Sequence, residues 1–352
     1  DTGKAALEGF ADVPDTQIMV FYPEDGVSPM QKRQMTTQDG ENVTVCAIKG
    51  NFDDCQNGVK DIFTDEDIKK KLESNKLMFS SANSINWGRL APQIIYYISA
   101  YATLVKDEEI TAGDKINVVV PTGNFGNILA AYYAKKMGLP INKLICASNT
   151  NKVLTDFINT GIYDRNRDFV TTISPSMDIL ISSNLERLLY IMTDYNDSLI
   201  KDWFGKLSTE GRYEVSAEVK AMLNEEFVGG FCDDVQTKDT IKRIYDKYSY
   251  TLDTHSAVAV KVYEDYKAET GDMTKTIIAS TASPYKFSAS VLEAIEGEKS
   301  RLDEFDMVDR LHELSGYDIP ESLSVLKTKE IRFNSVVDKT EQKNYVLKQL
   351  SI

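Results

Sequence analysis

The sequence predicts an α/β protein: two open, mostly parallel sheets flanked by helices, with a helical elaboration late in the chain. Two observations carry this. Short apolar, β-branched runs alternate with stretches of helical spacing from residue 1 to 85, and again from 116 to 147. The run Val118-Val119-Val120 also passes through the turn Pro121-Thr122-Gly123-Asn124-Phe125-Gly126-Asn127 directly into a helix-like segment. That is how a buried strand feeds a covering helix.

In chain order, residues 4–11 are helix-like, and a strand follows near Gln17–Tyr22. A helix near Ser28–Gln38 carries Pro29 at its start, where a missing N–H costs little. A strand at Val43–Lys49, helix-like segments across 53–74 and a strand near Lys76–Ser81 complete the first block. From Asn86 to Val105 the spacing of Leu90, Ile94, Ile95, Ile98 and Leu104 suits an amphipathic helix. The strand 116–120, the helix 128–138 and the strand Leu144–Ala147 form another βαβ unit. Residues 151–161 read as a helix with Gly161 as its C-cap. Residues 185–250 are helix-rich, charged and weakly patterned, an elaboration on the core. Thr276–Ala279 reads as a further strand, running into Ser280-Thr281-Ala282-Ser283-Pro284. The tail from about 295 is mixed and acidic, with a helix-like start and a strand candidate at Glu330–Phe333.

These elements divide into a small, mobile α/β domain over 1–85 and a larger domain over 86–352. The chain opens on Asp1-Thr2-Gly3, which looks like a turn entering a helix with no strand before it. The small domain is therefore expected to lack its first strand.

At 352 residues the chain has ample material for packed cores. A net charge of −14 disfavours nucleic acid and anionic membranes as partners, since both call for a basic surface. No apolar run approaches the roughly 20 residues that span a bilayer, and residue 1 is not followed by a secretory leader. Cys46, Cys55, Cys146 and Cys232 are scattered without metal-ligand spacing and read as reduced core thiols. With only His255 and His312 as histidines, no metal site is expected. The location implied is cytoplasmic.

In open α/β sheets, ligands sit beyond the carboxyl ends of the strands. Four turns leave such ends: 1–3, 83–89, 121–127 and 280–284. All are rich in hydroxyl, amide or glycine residues, which favours an enzyme over an interaction module. The 121–127 turn can aim several backbone N–H groups at one point, where the helix start adds partial positive charge. A phosphate fits there, although a capped βα turn without a ligand has the same pattern.

The string PTGNFGN at 121–127, SSANSINWGR at 80–89 and STASPYKF at 280–287 together resemble threonine synthase. Supporting strings are DTG at 1–3, SPMQKRQM at 28–35, SPSMDILISSNLER at 174–187 and LDTHSAVAV at 252–260. They keep the family's order, and the ordered set is specific where each string alone is weak. The resemblance implies a tryptophan-synthase-like fold that binds pyridoxal 5'-phosphate. It also implies conversion of O-phosphohomoserine and water to threonine and phosphate by β,γ-replacement.

By the same resemblance, Gly123, Asn124, Phe125, Gly126 and Asn127 cradle the cofactor phosphate. Thr281 donates to an unprotonated pyridine nitrogen, which limits the ring's electron demand and suits replacement over transamination. Ser84, Asn86 and Arg89 meet the substrate's phosphate or carboxylate, unless Asn86 merely caps the next helix and Arg89 is solvated. Asp1 and Thr2 belong to the loop beside the cofactor's ring hydroxyl and the substrate carboxylate. Asp1 stands where relatives often have Asn, and a carboxylate there would repel that oxygen. His255 matches a family position and reads as a satisfied buried histidine without chemistry. Lys286 accompanies the family's Schiff-base lysine rather than replacing it, and Lys4 reads as solvated.

The Schiff-base lysine of the family lies upstream of the DTG turn. The chain is therefore expected to be a fragment with no catalytic lysine of its own and to be inactive alone, unless the missing segment accompanies it as a separate chain. Rival expectations are a related phospho-lyase, a threonine dehydratase, or a non-catalytic pseudoenzyme.

Overall fold

The computed structural model describes residues 2–25, 27–50, 52–80 and 85–352. Nine strands occur among them: β1 (Ile18–Pro23), β2 (Val43–Lys49), β3 (Ile116–Pro121), β4 (Ile141–Ser148), β5 (Ile162–Asp164), β6 (Arg212–Glu214), β7 (Phe227–Phe231), β8 (Thr276–Ile278) and β9 (Val336–Asp338). The chain forms two compact units, one from residues 1–83 with 317–352 and one from 84–316.

The first unit has a parallel sheet in the order β1-β2-β9. Side chains of β1 alternate between two apolar clusters. Ile18, Val20 and Tyr22 pack with Leu7, Val43, Val45 and Ala47, whereas Met19 and Phe21 pack with Ile62, Ile68, Leu72 and Val346. Both faces are thus covered, as a parallel sheet requires. The helix Pro29–Thr36 starts at a capping box in which Ser28 and Gln31 satisfy each other's backbone N–H. Asp65 caps Glu66–Ser74 by accepting from the amides of Asp67 and Ile68. Lys4 is not simply solvated, since its ammonium meets Glu8 at 2.8 Å and also reaches Gln38.

Two expected strands here are replaced. Residues 77–80 of the Lys76–Ser81 candidate are irregular, and Ser81 lies outside the described residues. Lys76 takes a left-handed φ of 56°, which turns the chain back so that the Leu77 amide bonds Leu72 O at 2.8 Å. Phe79 then stacks on Phe63 instead of joining a sheet. The Glu330–Phe333 candidate is also not a strand, because the amides of Arg332 and Phe333 both bond Thr36 O. Pairing begins later, with Val336 opposite Ala47. Residues 317–352 consequently belong with the first unit, whereas the sequence assigned everything after 86 to the larger domain.

The second unit holds a parallel sheet in the order β7-β4-β3-β8. Val118 and Val120 point into one cluster and Val119 into the other. The 185–250 region is helix-rich as expected, but it also supplies β6, paired antiparallel with β5, and the sheet strand β7. Gly161 closes the helix Val153–Thr160 in the left-handed region at φ 79°. On the helix Gln93–Lys106, Tyr97 is buried and Ile94 and Leu104 pack on the core. Ile95 and Ile98, expected on that face, are 63% and 41% exposed.

All four cysteines are free and buried. Burial pushes the thiols of Cys46, Cys55 and Cys232 up to about 11 and that of Cys146 to about 12. Among the described residues no group of side chains could hold a metal ion, and no helix is long and apolar enough to cross a membrane.

A polar latch joins the amino ends of β3 and β8. Asp272 accepts from Asn117 Nδ2 at 2.9 Å, from the Tyr266 hydroxyl at 2.7 Å and from the Thr274 amide at 2.9 Å. Hydrogen bonding from the Thr274 side chain first, then from Tyr266, holds its carboxyl well below the usual carboxylate range. A depressed folded-state value means the stabilisation is complete above the unfolded value of roughly 4 and is lost as pH falls through the folded one. Asp272→Asn is therefore expected to lower the melting temperature at pH 7, and the gap to wild type should close on acidification. Parallel melting curves for the two proteins at every pH would refute this.

Candidate active site

The loop after β3 is built from both of its ends. Thr122 stays beside β4 because its amide bonds Ala147 O at 2.8 Å. A Cβ placed on Gly123 would fall 2.4 Å from Ser176 O and 3.3 Å from Met177 Cα, so only glycine fits there. Ser182 Oγ donates to Gly123 O at 3.0 Å, and Asn184 Nδ2 donates to Asn124 O at 2.9 Å. Arg187 holds the other end of the Asn184 amide at 2.6 Å. The carbonyls of Gly123 and Asn124 are thereby both engaged.

Phe125 then takes φ 61° and ψ 0°, a left-handed conformation uncommon for a bulky residue. Its ring is fixed by burial, 5.8 Å from that of Phe227. From there the helix Gly126–Lys136 begins with no side-chain cap. Some helices of the chain start under a side chain, such as Asp65, Ser216, Asp253 or Asp303, whereas Gln93–Lys106, Val153–Thr160 and Leu185–Met192 also begin without one. Here the first return bond is Leu129 N to Phe125 O at 3.0 Å. Among the described residues, the amides of Gly126, Asn127 and Ile128 meet no protein acceptor. Asn127 contributes through its backbone, since its side chain accepts from the buried Tyr97 hydroxyl. The Asn124 side chain is exposed.

β8 lies beside β3 with Ile278 opposite Val119, and the Ala279 amide bonds Val119 O at 2.9 Å. Thr281 follows, exposed, at the same carboxyl end of the sheet. Loop 122–127 and Thr281 are thus carried on neighbouring parallel strands, whose spacing is about 4.8 Å. Asn86 Oδ1 accepts the Gly88 amide at 2.8 Å and caps the helix Trp87–Leu90. Arg89 is half-buried in that short helix, and its carbonyl takes a hydrogen bond from Gln93 Nε2. Ser84 and Asp1 lie outside the described residues, as does the side chain of Thr2, which opens the helix Thr2–Phe10.

In the sequence Ser182 and Asn184 are only members of the string at 174–187; their role in fixing the loop comes from the fold. His255 is buried with its Nε2 accepting the Ser176 amide at 3.2 Å. Lys286 is half-buried, and burial lowers its affinity for a proton against the opposing pull of Asp253.

A family model described as the C-terminal part of threonine synthase matches residues 256–346. The chain is 43% identical to human threonine synthase-like 1 over 303 residues, which is 84% of this chain but only 40% of that protein's length. It is 37% identical to Saccharomyces cerevisiae threonine synthase over 369 residues, spanning all of this chain and 68% of the yeast protein. Among solved structures, yeast threonine synthase superposes with a TM-score of 0.85 at 34% identity, covering 100% of this chain and 68% of that one. Threonine synthase from Brucella melitensis with pyridoxal phosphate bound superposes with a TM-score of 0.82 at 36% identity, covering 98% and 68%.

Proposed function

The chain belongs to the threonine synthase family, and from that we propose that its 121–127 loop and Thr281 hold pyridoxal 5'-phosphate for the conversion of O-phosphohomoserine and water to threonine and phosphate. The observation that carries this is the uncapped helix start after Gly123–Phe125, at the carboxyl end of β3, whose neighbour β8 ends at Ile278 shortly before Thr281. The donor set fits a phosphate dianion. Three adjacent amides without a protein acceptor lie at the positive end of a helix, and the loop itself carries no acidic side chain. Each such charge-assisted bond contributes roughly 1.5–3 kcal/mol.

Bound there, pyridoxal phosphate supplies an electron sink for replacement at the substrate carbons. The chain's own groups do the rest. Thr281 would donate a hydrogen bond to the pyridine nitrogen while keeping its proton, so that nitrogen would stay unprotonated and neutral. Arg89 offers a planar fork to the phosphate or carboxylate of O-phosphohomoserine, and Asn86 and Ser84 add neutral donors. By family resemblance the reaction also requires a Schiff-base lysine, carried in the family upstream of the string that DTG at 1–3 matches. A cytoplasmic setting suits the four free thiols.

Calorimetric titration with pyridoxine 5'-phosphate tests the cofactor reading, because this analogue lacks the aldehyde that would react with surface lysines. Saturable binding that inorganic phosphate competes away is expected; its absence would refute the reading.

A further inference from the structure

Asp253 is the N-cap of the helix Thr254–Thr270, yet its bonds go well beyond capping. Its buried carboxylate accepts the amides of His255 at 2.8 Å and Ser256 at 3.3 Å. It also accepts the Ser256 hydroxyl, and His255 Nδ1 lies 3.2 Å away. Two arms leave this centre. Through one, His255 Nε2 accepts the Ser176 N–H at 3.2 Å, and the Ser176 carbonyl is the backbone atom that a Cβ on Gly123 would strike. Through the other, Ser256 Oγ lies 3.3 Å from Ser280 Oγ, next to Thr281.

The tautomer follows from the bonding. A ring nitrogen that accepts a peptide N–H carries no proton, so the proton is on Nδ1, facing the carboxylate. The Phe287 ring, 4.8 Å from the imidazole, limits its rotation. The 310 turn Pro175–Met177 is therefore held at a set height, and with it the wall that Gly123 leans on.

We propose that Asp253 and His255 are positioning residues that register the 123–127 phosphate loop against Thr281, one arm fixing each segment. Helix capping alone does not account for the arrangement, since it would need only the carboxylate and two amides. The inference rests on the cofactor reading given above, because the two segments it joins are the ones assigned there to phosphate and ring nitrogen. Each arm has its own effect. Losing His255 frees the Ser176 turn and loosens the loop, and losing the Ser256 hydroxyl frees Ser280 and lets Thr281 drift.

The test uses the full 352-residue chain with two readouts. One is the Gly123 amide resonance without any ligand, and the other is calorimetric affinity for pyridoxine 5'-phosphate. His255→Leu is expected to shift the Gly123 resonance and weaken binding about tenfold, the size of one lost buried hydrogen bond. His255→Gln can place Oε1 where Nε2 was, and should restore both readouts to near wild type. Val262→Ala, a buried change elsewhere on the same helix, controls for lost stability and should leave both unchanged. Should His255→Leu fail to fold, a wild-type-like Gly123 resonance and affinity in His255→Gln supports the relay, and a shifted resonance there overturns it. The inference also falls if His255→Leu leaves Gly123 unmoved, or if its effects equal those of Val262→Ala. If wild type binds no pyridoxine 5'-phosphate, the cofactor reading fails, and the ligand-free Gly123 resonance still decides whether the relay exists.

Discussion

Gly123→Ala is expected to abolish measurable pyridoxine 5'-phosphate binding and to lower stability. The added methyl would sit 2.4 Å from Ser176 O and 3.3 Å from Met177 Cα, and both are backbone atoms that cannot rotate away. Ser176 cannot retreat easily either, because its amide is held by the buried His255. Gly123 is tethered on the other side through the Ser182 hydroxyl. The loop must therefore move, and overpacking of this kind costs about 1–3 kcal/mol. A displacement of a few tenths of an ångström also misdirects the amides of 126–128, whose value depends on converging on one oxygen cluster. Asn124→Ala is the matched control, since it keeps the backbone N–H and removes only an exposed side chain. It should bind within about twofold of wild type. Calorimetry and urea denaturation read both effects; wild-type affinity in Gly123→Ala would refute the loop geometry.

The two changes also show which part of the site could be read from sequence. Gly123 and the 116–120 strand were legible because a buried strand, a glycine turn and a helix form one local pattern. The Asn86 cap was likewise legible, being a bond to a residue two positions on. What stayed hidden depends on distant pairing. Ser182 and Asn184 act on residues some sixty positions earlier, and nothing in their own neighbourhood marks them as loop supports. β7 was lost inside charged helical surroundings because its Val228-Gly229-Gly230 core has little β signal, although it pairs with β4 residue for residue. The strand expected at 330–333 failed differently. The backbone amides of Arg332 and Phe333 bond Thr36 O instead of a neighbouring strand, and the pairing falls on Val336–Asp338, where alternation is too short to stand out.

That last pairing leads to the second large effect. Removal of residues 317–352 is expected to unfold the first unit while the 116–148 strands keep their protection. β9 covers the open edge of β2, where the Ala47 amide bonds Ser335 O at 2.9 Å. The helix Gln342–Leu350 supplies Val346, with Leu347 and Leu350 beside it, to the cluster formed by Ile62, Ile68 and Leu72. Each such side chain contributes about 1.5–3 kcal/mol when buried. Losing three removes an amount comparable with the total stability of a small domain, about 5–15 kcal/mol. The same sheet face would then expose Met19 and Phe21 to water. Val346→Asp is the single-residue version, placing an unpaired charge 5% exposed in an apolar cluster. Amide exchange in β1 and β2 should approach that of an unfolded chain in the truncated protein and rise sharply in Val346→Asp. Persistent protection of Val45 and Ala47 after truncation would show that the first unit's core closes without the tail, and would remove the physical basis for assigning 317–352 to it.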